Sequence, residues 1–198
     1  MQFEAGDIFH VYNRGNNKQQ IFFSEGNYIF FLEKVKQFIH PVSNILAYCL
    51  MPNHFHFLVQ ANETSCKPRQ LGSLSSTELN NGFRLLQSSY TKAINKNKGF
   101  TGSLFQQKAK FKLLSWSDNP RHDHLSTCLH YIHQNPVKAN LVSRMEDWKY
   151  SSFNEYISGA RNGLCRTTFS DTINIPERNF YEMSSAELDD KIVQRIFW

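Results

Sequence analysis

The chain has 198 residues, of which 40% are hydrophobic, 14% aromatic and 20% charged. This length and apolar content can bury a core, and one domain with a modest extension fits better than two full domains. No apolar run approaches the roughly 18 residues of a membrane span, and residues 1–7 lack a signal-peptide pattern, so we expect a cytoplasmic protein without a membrane partner. The four cysteines are scattered without CxxC spacing, which favours reduced thiols and excludes a zinc ribbon.

Positive charge is distributed unevenly along the chain. The net charge is +5, and residues 79–117 contain seven cations and no acidic residue. Such a stretch is typical of a surface that binds nucleic acid, although a solvated, lysine-rich helix face explains it equally well. From Asp171 to Asp190 the balance reverses, with six acidic residues against one arginine.

Hydrophobic periodicity in the first 60 residues predicts a strand, a helix and a pair of strands. Asp7–Asn13 alternates apolar and polar residues, which is typical of a strand. Ser24 is positioned to cap an amphipathic helix that Pro41 ends. Asn44–Gln60 is rich in strand-forming residues and is interrupted by Pro52-Asn53, which predicts two short strands or one hairpin.

The remaining pattern predicts five further segments, of which two are helices and one is a strand, and an α+β fold. We expect a polar loop at Glu63–Gly72, a helix at Ser76–Asn95 and a strand at Leu104–Trp116. A last helix, Arg121–Asn135, is closed by Pro136, and the aromatic segment Trp148–Tyr156 packs on the core. This order predicts an antiparallel sheet covered by helices.

His54-Phe55-His56 is the sharpest chemical feature of the sequence. In a strand, residues i and i+2 share a face, so both imidazoles would project together while the phenylalanines are buried. Two imidazoles on a rigid strand can hold a divalent metal. Two incidental histidines are the alternative.

Tyr131 and Asn135 form the second feature, near the end of the last predicted helix. They are one turn apart, beside the buried stripe that Leu125, Leu129 and Ile132 define. Taken alone, Tyr131 is also explained as a core residue with its hydroxyl at the rim.

Together these features resemble a known family. Leu50–Val59 (LMPNHFHFLV) is similar to the HUH motif of the single-strand, one-tyrosine transposases, and most similar to their REP-associated branch. Four further matches follow the same order along the chain, between about Asp7 and Tyr156: Arg14-Gly15 with Lys18, Ile21 and Phe22; Gly102–Gln106 with Lys108 and Lys110; Tyr131–Val137 with Ala139, Leu141 and Val142; and the W-x-x-S-S segment Trp148–Ser152. The resemblance delimits a transposase domain at residues 1–157 and an extension at residues 158–198 without a recognised motif.

The resemblance implies a ferredoxin-like, RRM-like HUH sandwich that cleaves and rejoins single-stranded DNA. Tyr131 would attack a phosphodiester, forming a 5′-phosphotyrosine and releasing a 3′-hydroxyl, and the retained bond energy would allow transfer to another strand. A divalent ion, Mg²⁺ or Mn²⁺, would be held by His54 and His56 and act as a Lewis acid. Asn135 is the candidate third ligand, with a helix C-cap before Pro136 as its alternative role.

The expected partner is single-stranded DNA that carries a hairpin or an inverted repeat. Arg14, by resemblance, and the cations of the basic run would contact phosphates; these are Arg84, Lys92, Lys108, Lys110 and Lys112. Tyr90, Phe100 and Phe105 could stack on bases, although core packing explains Tyr90 and Phe105 better.

Several alternatives remain open at the level of sequence. The chain could be a metal-dependent hydrolase using His54 and His56, which would need a further ligand and a carboxylate base. It could also be a domesticated DNA-binding protein that retains the fold. Four further imidazoles lie near the proposed site and leave the identity of a third metal ligand open: His122, His124, His130 and His133. The extension could be a helical cover, a dimer element or a strand-mimicking lid. A homodimer is left open as a further partner, as is whether the site forms within one subunit or between two.

Overall fold

A four-stranded antiparallel sheet lies between two layers of helices in the computed structural model. The structure describes residues 3–72, 74–114, 121–159, 163–165, 179–188, 191, 193 and 194. The main sheet has the strand order β2-β3-β1-β6, and β4 and β5 form a separate hairpin. The strands are β1 (Ile8–Arg14), β2 (Ser43–Met51), β3 (His54–Ala61), β4 (Pro68–Leu71), β5 (Leu74–Thr77) and β6 (Lys110–Leu113). The α+β architecture predicted from the sequence is confirmed.

Two long helices cover one face of the sheet, and a third crosses the other. The helices are α1 (Glu25–Phe38), α2 (Glu63–Cys66), α3 (Glu78–Lys98), α4 (Arg121–Lys138), α5 (Phe153–Ser158) and α6 (Phe180–Ser185). α1 and α3 pack closely because Gly82 has no side chain: a Cβ there would lie 2.6 Å from the Phe38 carbonyl oxygen. No helix in the described residues is long and apolar enough to cross a membrane.

Side chains of the two central strands, β1 and β3, alternate between an apolar, buried face of the sheet and a partly polar face. Phe9 and Val11 of β1 and Phe55 and Phe57 of β3 enter the core beneath α1 and α3. The alternate positions of β1 and β3 face the layer of α4. Leu125, Leu129 and Ile132 of α4 pack against this second face, which confirms the predicted stripe.

Pro136 does not end the last long helix, which corrects the predicted boundary at Asn135. α4 continues through Lys138, with Pro136 inside it, and Asn140 takes a positive φ of 54° after the helix. Proline removes one backbone donor, but the later turn still closes because Ala139 N donates to Asn135 O at 2.9 Å. Asn135 is therefore inside the helix rather than at its C-cap.

Three other predicted boundaries differ from the structure for local reasons. Glu63–Gly72 is not a loop, because Asn62 and Ser65 form a capping box for α2 and Pro68–Leu71 then pairs with Leu74–Thr77. α3 begins at Glu78 because the Thr77 side chain accepts a hydrogen bond from Asn80 N. Of the strand predicted over Leu104–Trp116, the described part up to residue 114 is regular only as β6, since pairing with β1 covers four residues. Residues 115 and 116 lie outside the described residues.

The aromatic segment Trp148–Tyr156 packs on the sheet, as predicted. Leu50 N donates to Tyr150 O at 2.9 Å and Ser152 N to Tyr48 O at 3.0 Å, so the segment pairs with the edge of β2. Within the extension, Phe180 of α6 is buried with α4 and α5. All four cysteines are free thiols.

Candidate active site

His54 and His56 lie side by side on the partly polar face of β3. Their ring centroids are 4.9 Å apart and the rings are nearly perpendicular. Phe55 and Phe57 are fully buried on the opposite face, as the strand periodicity predicts. The rigidity of this strand fixes the Cα positions of both histidines.

Both imidazoles are electrostatically favoured in the neutral form that a metal ion requires. Burial, with a contribution from the Arg14 charge, lowers the pKa of His54 to about 4. Burial, with contributions from His10 and His54, lowers the pKa of His56 well below its usual range. Each ring is therefore uncharged at neutral pH and can donate a lone pair.

The turn before His54 is held by the loop that follows β1. Gly15 N donates to Asn53 O and Ile21 N donates to Pro52 O, both at 2.8 Å. A side chain at Gly15 would collide with the carbonyl oxygen of Gln19, which explains the glycine. The Arg14-Gly15 and Pro52-Asn53 motifs, 38 positions apart along the chain, are thus one structural unit, and Arg14 pairs with His54 in the strand register.

Tyr131 reaches the same face from α4. Its ring is edge-on to His56 with 6.1 Å between centroids, and Lys138 Nζ lies 5.3 Å from the Tyr131 ring centroid. Burial, with a contribution from Cys128, raises the pKa of the Tyr131 hydroxyl. The two sequence features predicted to act together are therefore brought together by the fold.

Asn135 stands one turn after Tyr131 and is mostly buried. Its Nδ2 donates to the Tyr131 carbonyl oxygen at 2.9 Å, so its amide group bonds within its own helix. Its role as third metal ligand stays a prediction. His130 and His133 are engaged elsewhere, at hydrogen-bond distances of 2.8 Å from Ser184 Oγ and Ser152 Oγ.

His10 is a site residue that the sequence analysis did not identify. Its Nε2 is 2.9 Å from His56 Nδ1, and its ring lies beside both the His56 and the Tyr12 rings, at centroid distances of 5.1 and 4.8 Å. The alternation of Asp7–Asn13 places His10 on one face of β1. Only the register His10↔Leu58 and Tyr12↔His56 reveals that this face is the one shared with His56.

The predicted DNA-binding cations divide between two surfaces. Lys110 and Lys112 of β6 pair with Tyr12 and His10 in the sheet register and lie on the histidine side, with Lys110 Nζ 5.6 Å from the Tyr12 ring centroid. Arg84, Lys92 and Lys108 instead line a groove of about 1230 Å³ between α3, the β4–β5 hairpin and residues 102–111. None of the described residues that line this groove is acidic.

The three aromatic candidates for base stacking also separate. Tyr90 is fully buried and its hydroxyl donates to Ile21 O at 2.7 Å, and Phe105 is buried in the same core. These two residues pack the core and do not form a stacking platform. Phe100 is 47% exposed and could still meet a base.

The W-x-x-S-S segment supports the site from outside. Trp148 Nε1 donates to Leu50 O at 3.0 Å, and Ser152 Oγ accepts from Tyr48 N at 2.9 Å. The Ser152 hydroxyl also contacts His133 of the tyrosine helix. This motif therefore joins the edge of β2 to α4 and stabilises the fold around the site.

The donor set fits a divalent ion in part. His54 and His56 supply two neutral nitrogens on one face, but the described part of the chain contains no group of three or more His, Cys, Asp and Glu residues that could hold a metal ion. Further ligands would come from an amide oxygen, from water or from a substrate phosphate, which suits Mg²⁺ or Mn²⁺.

Comparison with known proteins supports the resemblance found in the motifs. No protein-family model matches the sequence. A Haemophilus influenzae protein named as a REP-associated tyrosine transposase is 28% identical over 115 residues, which cover 58% of this chain and 61% of that protein. This chain therefore matches less than two thirds of the length of that relative.

The fold is similar to that of a REP-associated tyrosine transposase solved in complex with a REP hairpin. The TM-score is 0.60 at 17% sequence identity, covering 83% of this chain and 86% of that one. The sequence relative and this similarity of fold confirm the resemblance to the REP-associated tyrosine transposases.

Proposed function

We propose that this protein is a single-stranded DNA endonuclease and strand transferase of the REP-associated tyrosine transposase type. The observation that carries the proposal is the convergence of His54, His56 and Tyr131 on one face of the sheet, from β3 and α4. DNA binding and the transposase class are supported by the named relative and by the hairpin-bound neighbour in fold. The chemistry below is our inference from the residues.

Tyr131 is the proposed nucleophile. Its hydroxyl oxygen forms a bond to the DNA phosphorus, and the bond from phosphorus to the 3′-oxygen breaks, so that a 5′-phosphotyrosine and a free 3′-hydroxyl result. Burial raises the pKa of the Tyr131 hydroxyl, so the nucleophile starts in its protonated form, and in the balanced reaction its proton ends on the released 3′-oxygen. The reverse reaction, with a different 3′-hydroxyl, joins strands without an external energy source.

His54 and His56 are the proposed holders of Mg²⁺ or Mn²⁺, with Asn135 as candidate third ligand. A bound divalent ion supplies Lewis-acid polarisation of the phosphate. The residues themselves contribute two neutral imidazoles on a rigid strand, fixed by the packing of Phe55 and Phe57. Lys110 and Lys112, on the same side, would attract the scissile strand, while Arg14 adds a charge beside His54.

The groove of Arg84, Lys92 and Lys108 is the proposed binding surface for the remaining DNA. It offers cationic and uncharged polar side chains without a carboxylate, which suits a phosphate backbone. A DNA hairpin is the partner that the neighbour in fold supports. No observation on the described residues favours the hydrolase alternative.

The decisive test is whether the Tyr131→Phe variant can still form the covalent adduct with DNA. This variant removes one hydroxyl and keeps the ring that packs against His56, so we expect native-like folding and DNA affinity with complete loss of adduct. Wild type and variant are incubated with labelled single-stranded DNA and Mn²⁺ and separated on denaturing gels. Tyr12→Phe, which removes a hydroxyl on the same face, is the matched control and should retain the adduct; an adduct that persists in Tyr131→Phe would refute the assignment.

A further inference from the structure

The Nδ1 atoms of His54 and His56 lie within hydrogen-bond distance of two different residues. His54 Nδ1 lies 2.6 Å from Asn53 Oδ1, and His56 Nδ1 lies 2.9 Å from His10 Nε2. A neutral imidazole has one donor and one acceptor nitrogen. A contact with an oxygen that only accepts decides which nitrogen presents a lone pair, whereas a contact between two imidazoles leaves that choice to which ring donates. We propose that Asn53 and His10 are positioning residues that hold His54 and His56 in the Nδ1–H tautomer, with Nε2 directed to a metal ion.

For His54 the hydrogen bonds fix the tautomer. Asn53 Nδ2 donates to the Lys18 carbonyl oxygen at 3.3 Å, which orients the amide so that its oxygen faces His54. An amide oxygen only accepts, so His54 Nδ1 must carry the proton. The lone pair of His54 is then on Nε2.

For His56 the same result requires His10 to act as the acceptor. If His56 Nδ1–H donates to His10 Nε2, the lone pair of His56 is on Nε2, as it is in His54. The opposite arrangement would place a proton on His56 Nε2 and abolish its capacity to bind a metal. The contact of the His10 ring with the Tyr12 ring, at a centroid distance of 4.8 Å, helps to keep its Nε2 at this position.

This inference rests on the proposed function, because it assigns partners to the proposed metal ligands. In metal sites generally, a ligating histidine donates its other N–H to an acceptor, and loss of that acceptor weakens metal binding about 10- to 100-fold. Here one acceptor comes from the turn before β3 and the other from the neighbouring strand. The two acceptors are separate residues, so each histidine can be perturbed alone.

The test combines imidazole nitrogen NMR of the metal-free protein with calorimetric titration by Mn²⁺. In the wild type we expect both His54 and His56 to show the Nδ1–H pattern. His10→Phe should convert His56, but not His54, to a mixture containing the Nε2–H form, and should weaken Mn²⁺ binding about 10- to 100-fold. Asn53→Ala should change the tautomer of His54 and leave that of His56 unchanged.

His10→Gln is the matched rescue, because a glutamine oxygen can reach the position of His10 Nε2 and accept the same hydrogen bond. It should restore the Nδ1–H form of His56 and most of the Mn²⁺ affinity, whereas a role limited to packing would make His10→Phe the better substitute. Thermal unfolding of each variant verifies the fold, and Asn53→Ala provides the second measurement if His10→Phe does not fold.

The outcomes separate this inference from the proposed function. A wild-type His56 in the Nε2–H form, or a His10→Phe variant with unchanged tautomer and Mn²⁺ affinity, would overturn the role of His10. Unchanged Mn²⁺ affinity in both His54→Ala and His56→Ala would instead overturn the metal site itself, while the NMR measurement on the wild type would still report which ring nitrogen of His54 and of His56 carries the proton.

Discussion

Two histidines of α4 show how burial decides what a residue does. His130 and His133 are near Tyr131 in sequence, yet both are buried and hydrogen-bonded to serine hydroxyls. Among the described residues, His130 Nε2 and His133 Nδ1 have no hydrogen-bond partner. A proton added to either of these nitrogens would therefore create a buried charge to which no described residue offers a hydrogen-bond acceptor.

Stability should consequently fall as the pH is lowered below about 6.5, the usual pKa of an unfolded histidine. Burial lowers the pKa of His130 to about 4 and, with a contribution from His130, that of His133 to about 3. Between these values only the unfolded chain takes up the protons, so each histidine adds about 1.4 kcal/mol per pH unit to the loss. The free energy of unfolding of the wild type and of His133→Gln is measured in urea between pH 6 and 4.5. Its dependence on pH should be weaker in the variant, by an amount that corresponds to about one proton fewer taken up on unfolding.

The control for this pH dependence is Ile132→Val, at the neighbouring buried position. It should cost about 1 kcal/mol at every pH and keep the wild-type slope, because valine does not titrate. Equal slopes in His133→Gln and the wild type would show that His133 is protonated in the native protein as readily as in the unfolded chain.

At the scale of elements, α6 is part of the same packed unit as the tyrosine helix. Phe180 stacks on Tyr156 with 4.6 Å between ring centroids, and Gln134 Nε2 of α4 donates to the carbonyl oxygen of Ser184 at 2.9 Å. Of the three roles left open for the extension, a helical cover agrees with this packing. The structured region thus continues beyond residue 157, where the sequence motifs end.

Phe180→Ala should therefore destabilise the whole fold. Removing a buried phenylalanine costs about 3 to 5 kcal/mol, because apolar burial is reduced and a cavity remains. Chemical unfolding followed by tryptophan fluorescence measures the change, since Trp148 lies on the sheet and outside α6. Glu182→Ala, at an exposed position of the same helix, should change stability by less than about 0.5 kcal/mol. If both variants matched the wild type, α6 would not be docked in solution.

At the scale of the whole molecule, the basic run of the sequence becomes two separate surfaces. Phe111 of β6 enters the core, so the lysines on either side of it emerge on the opposite face, with the histidines. Lys108 precedes the strand and lines the groove with residues of α3. One run of charge can therefore serve two different parts of a DNA molecule.

We expect two double variants, Lys110→Gln/Lys112→Gln and Lys92→Gln/Lys108→Gln, to weaken DNA binding alike but to differ in their effect on adduct formation. Each phosphate of single-stranded DNA that a variant no longer neutralises should reduce the slope of log affinity against log salt by about 0.7. Only the first pair should also slow adduct formation at saturating DNA, because those lysines lie beside the proposed site. Fluorescence anisotropy across a salt series and single-turnover gels measure the two effects.

Lys34→Gln/Lys36→Gln on α1 removes the same charge away from both surfaces and is the matched control. A wild-type salt slope in both test pairs would mean that these lysines face only solvent. An equal loss of adduct rate in the two pairs would place the scissile strand between the surfaces rather than on the histidine side.

The sequence by itself determined the α+β class, the shared face of His54 and His56, and the stripe that packs α4 on the sheet. These properties depend on the period of 2 in strands and 3.6 in helices, which are local and appear directly in the order of residues. The same order carried the motifs that identified Tyr131 as the partner of the histidines. Local capping at Asn62 and Thr77 depended on side-chain hydrogen bonds, and the continuation of α4 past Pro136 on a backbone hydrogen bond, and periodicity reports neither.

Only the tertiary structure decided which distant residues share the site. His10 joins His56 because β1 pairs with β3 in one particular register, and a shift of one residue would turn His10 to the other face. The core roles of Tyr90 and Phe105 and the division of the lysines follow from how α3 and β6 pack against that sheet. Register and packing arise from contacts between segments 40 to 100 residues apart, such as His10 with His56 and Asn13 with Gln106, so no local pattern can specify them.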